Sequence, residues 1–305
     1  MLCYKKCESP VVMRKDIHIS GAEYVNMHEY NSGHKVPIYL VDTYYALNKI
    51  LGYAKYINGD YGTILYRGEC SLHNTMLPSI HRGIKSKRAY HHANFKLNDL
   101  ERRILSDKKF AKVLVAENQP CRELVIEGLL QHYGIKTHFI DVVDNHWVAL
   151  WFGLYKATEI KSVKSYICYA KRTMSKAKFE DDNYQYMILV ASNNNLTNLF
   201  NLNEIRGETV TIDLRANTSS TFLRPHAQHG LVIRKLRNDE ITGYDISKYV
   251  VGIIKMPIIY VDKWLGNGTL LTVDNLFPSP AYDIGYDLLL ERSDLFKDSI
   301  CRMTY

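Results

Sequence analysis

Leu129–Gly153 reads LLQHYGIKTHFIDVVDNHWVALWFG, and its reading decides the fold. It is a helix running out, a turn, a buried strand and a second helix in quick succession. Just upstream, RELVIEGLL places Leu124, Val125, Gly128 and Leu129 on one helical face, the spacing of an amphipathic helix. Gln131, His132 and Tyr133 follow as that helix ends, and Gly134 sits where a left-handed residue is wanted after a C-cap. THFIDVV is short, β-branched and apolar, a strand in length and composition. Asp144 or Asn145 can cap the next helix. Trp147, Ala149, Leu150, Trp151, Phe152 and Leu154 make that helix apolar almost all round, which predicts burial. Polar groups wedged between two buried elements then need partners, because burying them unpaired is costly. They are Gln131, His132, Tyr133, Thr137, His138, Asp141 and Asp144.

The rest of the chain sets bounds around this stretch. With 305 residues, 46% hydrophobic and 23% charged, it has a globular composition and room for one large domain or two small ones. Its net charge of +7 favours phosphate-bearing partners without naming one. Six scattered cysteines form no CxxC, so neither a zinc ribbon nor a redox pair is expected. His91-His92 lacks a third ligand at sensible spacing, so no metal site is expected either. The opening residues have no apolar signal core and no run approaches a membrane span, which makes the cytoplasm the expected compartment.

Residues 1–36 are rich in His, Asn, Ser and Gly and read as irregular. Val41–Ile57 reads as a helix with a stripe of Val41, Tyr44, Tyr45, Leu47, Leu51 and Ala54, ended by the turn NGDYG. Thr63–Arg67 is a strand stopped by Gly68, and Asn74–Gly83 a loop pinned by Leu77 and Pro78. Lys85–His92 is basic and exposed, and Phe95–Phe110 a second helix. SYICYAKR and YQYMILVAS are strands joined by a charged connection, Thr173–Asp182. Asn193–Asn203 is an Asn-rich loop, and ETVTIDLR and HGLVIRKL are strands. Val250–Val261, split by Pro257, reads as two short strands, and Ala281–Arg292 as a last helix. Helices early and strands late give an α+β class: one mixed or antiparallel sheet with helices packed on it.

Four places can carry chemistry. Arg67, at a strand end before Gly68 and Glu69, can project a permanently charged fork toward phosphate or carboxylate, or pair with Asp141 to hold the fold. Tyr133 can stack on a planar ring and His132 can donate to a sugar hydroxyl or phosphate; equally, both can be core. Asp141 reads as a catalytic acid or as a partner to Arg67 or the turn. Arg224, Gln228 and His229 lie in RPHAQHG, a polar loop leading into a strand. No GxGxxG, Walker loop, HExxH or GxSxG is present.

Taken together, these pieces resemble the FRG-domain family. Tyr66-Arg67-Gly68 matches its aromatic-Arg-Gly signature. Leu77-Pro78-Ser79 with Arg82 matches L-P-S-x-x-R, and Gln131-His132-Tyr133-Gly134 matches Q-H-[YF]-G. Thr137, Ile140 and Asp141 match T-R-L-L-D. Ala149-Leu150-Trp151-Phe152 matches A-L-[YW]-F, and Arg224, Ala227-Gln228 and Gly230 match R-x-x-A-Q-x-G. Leu276-Phe277-Pro278 resembles the trailing L-F-P. Glu69, Lys136, His138 and Val142-Val143 depart from the family pattern. The resemblance implies an FRG domain over 37–235, an irregular extension at 1–36, and C-terminal strands and a helix, 236–305, on the same core.

More distantly, the order of motifs is similar to the ADP-ribosyltransferase pattern. That likeness implies NAD as substrate or ligand, no tightly bound cofactor, and a protein or nucleic-acid acceptor. It also implies a transferase or glycohydrolase acting as a toxin or antiphage effector. The alternative is a non-catalytic nucleotide-sensing module, with a basic nucleic-acid binder third. By the same likeness Arg67, Asp141 and Gln228 are the catalytic candidates. Gly68, Glu69, Gln131, His132, Tyr133, His138, Arg224 and His229 are the ligand contacts. The glutamate of the pattern is missing, since Gly230 stands at its place and Gln228 carries no charge.

Overall fold

In the computed structural model, the described residues are 8–117, 121–161, 165–174, 180–193, 195–196, 208–236, 244–296, 300 and 302–304. Among them, nine strands form one sheet in the order β1-β2-β11-β7-β3-β4-β10-β9-β8. In chain order these are β1 Ala22–Glu29, β2 Lys35–Val41, β3 Thr63–Glu69, β4 Ile140–Val143, β7 Tyr184–Ser192, β8 Asn195–Leu196, β9 Thr209–Asp213, β10 Gly230–Lys235 and β11 Val250–Pro257. Only β2 with β11 and β8 with β9 run parallel. Three further strands make a small second sheet: β5 Tyr155–Lys161, β6 Ser165–Lys171 and β12 Arg302–Met303. The class is α+β with a mixed sheet.

The strand periodicity of 2 sends alternate residues to opposite faces. Along β10, Leu231 and Ile233 enter one apolar cluster and Val232 enters the other. The first cluster takes in α1 Tyr44–Ile57, α5 His146–Leu154 and α8 Ile258–Trp264. The second is built from α2 Lys87–Ser106, α3 Lys108–Leu114, α4 Arg122–His132, α6 Leu214–Asn217 and α9 Ile284–Glu291, with Phe222 at the start of α7 Leu223–Ala227.

Four expectations change. The segment up to residue 36 is not irregular throughout: β1 and β2 form an antiparallel hairpin at the edge of the large sheet. Val41 ends β2 rather than opening a helix, and α1 begins at Tyr44, capped by the Thr43 hydroxyl. The run after Pro257 is a helix, α8, whose Ile258, Val261 and Leu265 are buried at helical spacing. The basic segment Lys85–His92 is mostly the first turns of α2. Parts of the Thr173–Asp182 connection and most of Asn193–Asn203 lie outside the described residues.

One irregularity in the sheet positions everything that follows. β3 and β4 are neighbours, yet their ladder has a single residue pair, Tyr66 opposite Val143. Beyond that rung Arg67, Gly68 and Glu69 pair only with β7, and Asp141 and Val142 only with β10.

Candidate functional site

Arg67 fills the gap left by the missing ladder. Its Nη1 donates to the backbone carbonyl of Asp141 at 2.7 Å, a side chain replacing a strand hydrogen bond. Its Nε donates to Glu69 Oε1 at 2.6 Å. Residues two apart on a strand share a face, so Arg67 and Glu69 form a mostly buried ion pair. Burial works against the Arg67 charge, but Glu69 and Asp141 outweigh it and raise its pKa further. Between them, Gly68 lies under α5. A Cβ there would stand 1.8 Å from the Ala149 carbonyl oxygen, so only glycine lets this helix lie on the strand.

The end of α4 faces the same gap. Gly134 has φ +95°, so the turn out of the helix needs the left-handed conformation glycine adopts freely. Gln131 is fixed at its carbonyl end by the hydroxyls of Thr137, at 2.7 Å, and Ser79, at 3.3 Å. Ser79 also accepts the Thr137 backbone N–H at 3.1 Å. With its oxygen so occupied, Gln131 must turn its amide nitrogen to Asp141, and donates to Oδ2 at 2.9 Å. His132 Nε2 stands 3.4 Å from Asp141 Oδ1. Burial pushes the His132 imidazole below its ordinary pKa against the pull of Asp141, so the ring is neutral at pH 7.

α7 closes the site. Arg224, 1% exposed, is sandwiched between Tyr133 and Tyr286, its guanidinium carbon 4.4 and 4.5 Å from their ring centroids. Nη1 donates to the His132 carbonyl at 2.9 Å, while Nε and Nη2 have no partner among the described residues. Gln228 donates to the Leu276 carbonyl at 2.8 Å, tying α7 to the Leu276-Phe277-Pro278 segment.

A cavity of about 410 Å³ lies among these groups, within the range of small-molecule sites. Arg67, Gly68, Glu69, Gln131, His132, Asp141, Arg224 and Gln228 all line it. Three sequence candidates do not. Tyr133 is fully buried, its hydroxyl on Asp283 Oδ2 at 2.7 Å and its ring face on Arg224. It therefore has no face to offer a ligand, correcting the stacking role expected of it. His138 turns away to Glu127, 2.9 Å from its carboxylate. His229 is half-exposed beside Asp144 and Arg215. Asp144 does not cap α5; Asn145 does, accepting the Trp147 N–H at 2.9 Å.

The sequence reading also missed residues. Ser79 and Thr137 fix the Gln131 amide, and both sit inside motifs already noticed. The apolar wall of the cavity combines Tyr155 and Tyr169 of the second sheet with Phe152 of α5 and Phe277. Phe152 and Phe277 stand in the A-L-[YW]-F and L-F-P matches, whereas the only signal for Tyr169 is the alternation in SYICYAK. Among the described residues, no cluster of three or more His, Cys, Asp or Glu is arranged to hold a metal ion. No helix there is long and apolar enough to cross a membrane.

The arrangement offers two guanidinium groups, two carboxylates, a neutral imidazole and two amides around an aromatic-walled cavity. Neither a curated protein nor a solved structure matches the chain. The model of one family, the FRG domain, matches residues 62–162. That segment runs from β3, with Arg67-Gly68-Glu69, through Gln131, His132 and Asp141 to the aromatic end of α5. The cavity's central residues thus belong to the matched segment, and the chain contains an FRG domain.

Proposed function

We propose that the cavity binds NAD or a related nucleotide and that the domain breaks its bond between nicotinamide and ribose. One observation carries the reading: two guanidinium groups and two carboxylates converge on one aromatic-walled cavity beside the split between β3 and β4. In this reading Arg67 and the unpartnered N–H groups of Arg224 take the phosphates. Tyr155, Tyr169 and Phe152 flank the ring systems. When the glycosidic bond breaks, nicotinamide leaves with the electron pair and positive charge builds on the ribose. Water or an acceptor nucleophile then bonds to that carbon and gives up its proton.

A carboxylate must face the developing charge, and Gly230 cannot carry it. A Cβ there would meet His132 Cε1 at 2.4 Å, so no glutamate fits where the ADP-ribosyltransferase pattern has one. Asp141 and Glu69 are the carboxylates that line the cavity, and we assign the role to them. Release of NAD-derived ADP-ribose, or its transfer to a protein or nucleic-acid acceptor, fits an effector or toxin that depletes NAD.

A second reading has its own support. Glu69 is tied to Arg67 and Asp141 to Gln131, an arrangement suited to holding a nucleotide without turning it over. The test is nicotinamide release from NAD, run beside thermal stabilisation by NAD and ADP-ribose. Turnover that disappears in Asp141→Asn and Arg67→Lys supports the enzyme. Stabilisation sensitive to Arg67 with no nicotinamide release supports the sensing module. Neither release nor stabilisation at millimolar nucleotide refutes both.

A further inference from the structure

One turn back along α4 from Gln131 comes Glu127, and one turn further Glu123. Here a separate cavity of about 290 Å³ lies between α2, α4 and β10, lined by Glu101, Glu123, Glu127, His138, Arg234 and Tyr244. The nucleotide reading uses none of these groups.

Their pairing leaves a definite remainder. Glu127 is buried and fully engaged. Its Oε1 accepts the backbone N–H of His138 at 2.7 Å and faces the ring Nδ1 at 2.9 Å, and its Oε2 pairs with Arg234. The Arg234 charge is therefore spent on Glu127. Glu101 and Glu123 have neither an ion pair nor a hydrogen bond among the described residues. His138 is 5% exposed, and its Nε2 has no partner there either. Its Nδ1 is taken up by Glu127, so Nε2 is the ring nitrogen left to face the cleft. Two carboxyl groups without partners and a buried imidazole nitrogen thus meet in one cleft. The Tyr244 ring stands beside them, 5.2 Å from that of His138 and stacked on His81 at 4.5 Å.

A buried acceptor left unmet is costly, and a cleft of acceptors beside an aromatic ring suits a cation rich in N–H donors. We propose that this cleft binds a small organic cation, an alkyl chain headed by a guanidinium or ammonium group, with Glu101 and His138 as its principal acceptors. The state of Glu101 agrees. Burial, then the neighbouring Glu127, push its carboxyl up to about 8 against the opposing pull of Arg234, with Glu123 adding to the rise. The cleft therefore holds a proton that an arriving cation displaces.

The test is calorimetric titration of the whole chain with n-butylguanidinium chloride at pH 7, against sodium chloride at equal ionic strength. One saturable site is expected. Proton release should approach one per site, read from the dependence of the heat on buffer. Glu101→Gln should weaken binding about tenfold or more. Glu123→Gln, at an exposed position where folding is not in question, should weaken it less. n-Butylurea, the same shape without charge, should not bind. Binding of n-butylammonium alongside the guanidinium shows that charge selects the head, and its failure shows that the planar fork does; both support the site. The absence of saturable binding to the folded chain overturns the proposal. So does equal binding of the urea, or undiminished affinity in Glu101→Gln.

Discussion

Gly68→Ala separates two meanings of the Arg-Gly pair. A glycine beside an arginine can be there so that a ligand approaches the backbone, or so that another part of the protein does. Here the occupant is α5. The added Cβ would lie 1.8 Å from the Ala149 carbonyl oxygen and 2.8 Å from the Gly153 nitrogen, where ordinary contact begins at 3.4 Å. Both obstacles are helix backbone, so the helix must withdraw by roughly 1.5 Å, beyond what side-chain repacking absorbs. Overpacking typically costs about 1–3 kcal/mol, and a backbone clash belongs at the upper end. At about 2 °C or more per kcal/mol for a chain of this size, the melting temperature should fall by at least ~6 °C with no ligand present. Gly52→Ala is the control: it lies on the exposed face of α1, where a Cβ meets nothing within 4 Å. It should stabilise by about 0.5–1 kcal/mol. Both are read by thermal and urea unfolding. If Gly68→Ala melts with the wild type yet loses nucleotide binding, the packing account is wrong and the glycine serves the ligand.

Other outcomes follow from the same contacts. Arg224→Leu removes the guanidinium between Tyr133 and Tyr286 and the donor to the His132 carbonyl. It should cost about 2 kcal/mol or more in urea unfolding. Thr137→Val removes the shorter of the two hydroxyl contacts to the Gln131 oxygen and leaves only Ser79, costing about 1 kcal/mol. It should also blunt stabilisation by NAD more than it lowers the unliganded melting temperature, since the Gln131 amide that donates to Asp141 is then held by the longer Ser79 contact alone. Buried His81 and half-buried Glu101 give opposite pH slopes. His81 is lowered to about 4, chiefly by burial. From its ordinary 6.5 down to 4 the unfolded chain takes up a proton the folded one refuses, so stability should fall with acid there. Glu101, raised to about 8, keeps its proton in the fold while the unfolded chain loses it above about 4.5, so stability should also fall as pH rises from 4.5 to 8. Urea midpoints across pH 4–8 should lose the acid slope in His81→Phe and the alkaline slope in Glu101→Gln.

How far the sequence could be read depends on where each partner lies along the chain. The helix–turn–strand–helix around Gly134 was legible because caps, periodicity and the left-handed glycine are local signals. The nearness of Glu69 to Arg67 was legible too, since both lie on one strand two residues apart. β1 was hidden because AEYVNMHE is a largely exposed edge strand whose polar residues blur the alternation. α8 was misread because Ile258-Ile259-Tyr260-Val261 has a strand's composition, and only the buried spacing of Ile258, Val261 and Leu265 reveals the helix. Tyr133 looked like a free aromatic because Arg224 and Asp283, which occupy its face and hydroxyl, lie 91 and 150 residues further on.

The missing glutamate and the Arg67–Glu69 pair are two sides of one constraint. His132 is held by its carbonyl on Arg224, and its ring fills the space beside Gly230, so no side chain can grow from the start of β10. The acid must then come from β3 or β4, the strands whose ladder stops after one rung, and there the Arg67 guanidinium already occupies Glu69 and the Asp141 carbonyl. On the nucleotide reading, phosphate anchor and acid compete for the same cation. A phosphate that takes the Nε edge of Arg67 displaces the Glu69 carboxylate from a mostly buried pair, where an unpaired charge is expensive. The positive charge that builds on the ribose as the glycosidic bond breaks is the partner that offsets this cost. Binding through the phosphates and freeing of the acid therefore become one event, and a ligand lacking phosphate leaves Glu69 where it is. Nicotinamide riboside, which has the scissile bond without the pyrophosphate, should accordingly be a far poorer substrate than NAD by more than its loss of affinity alone.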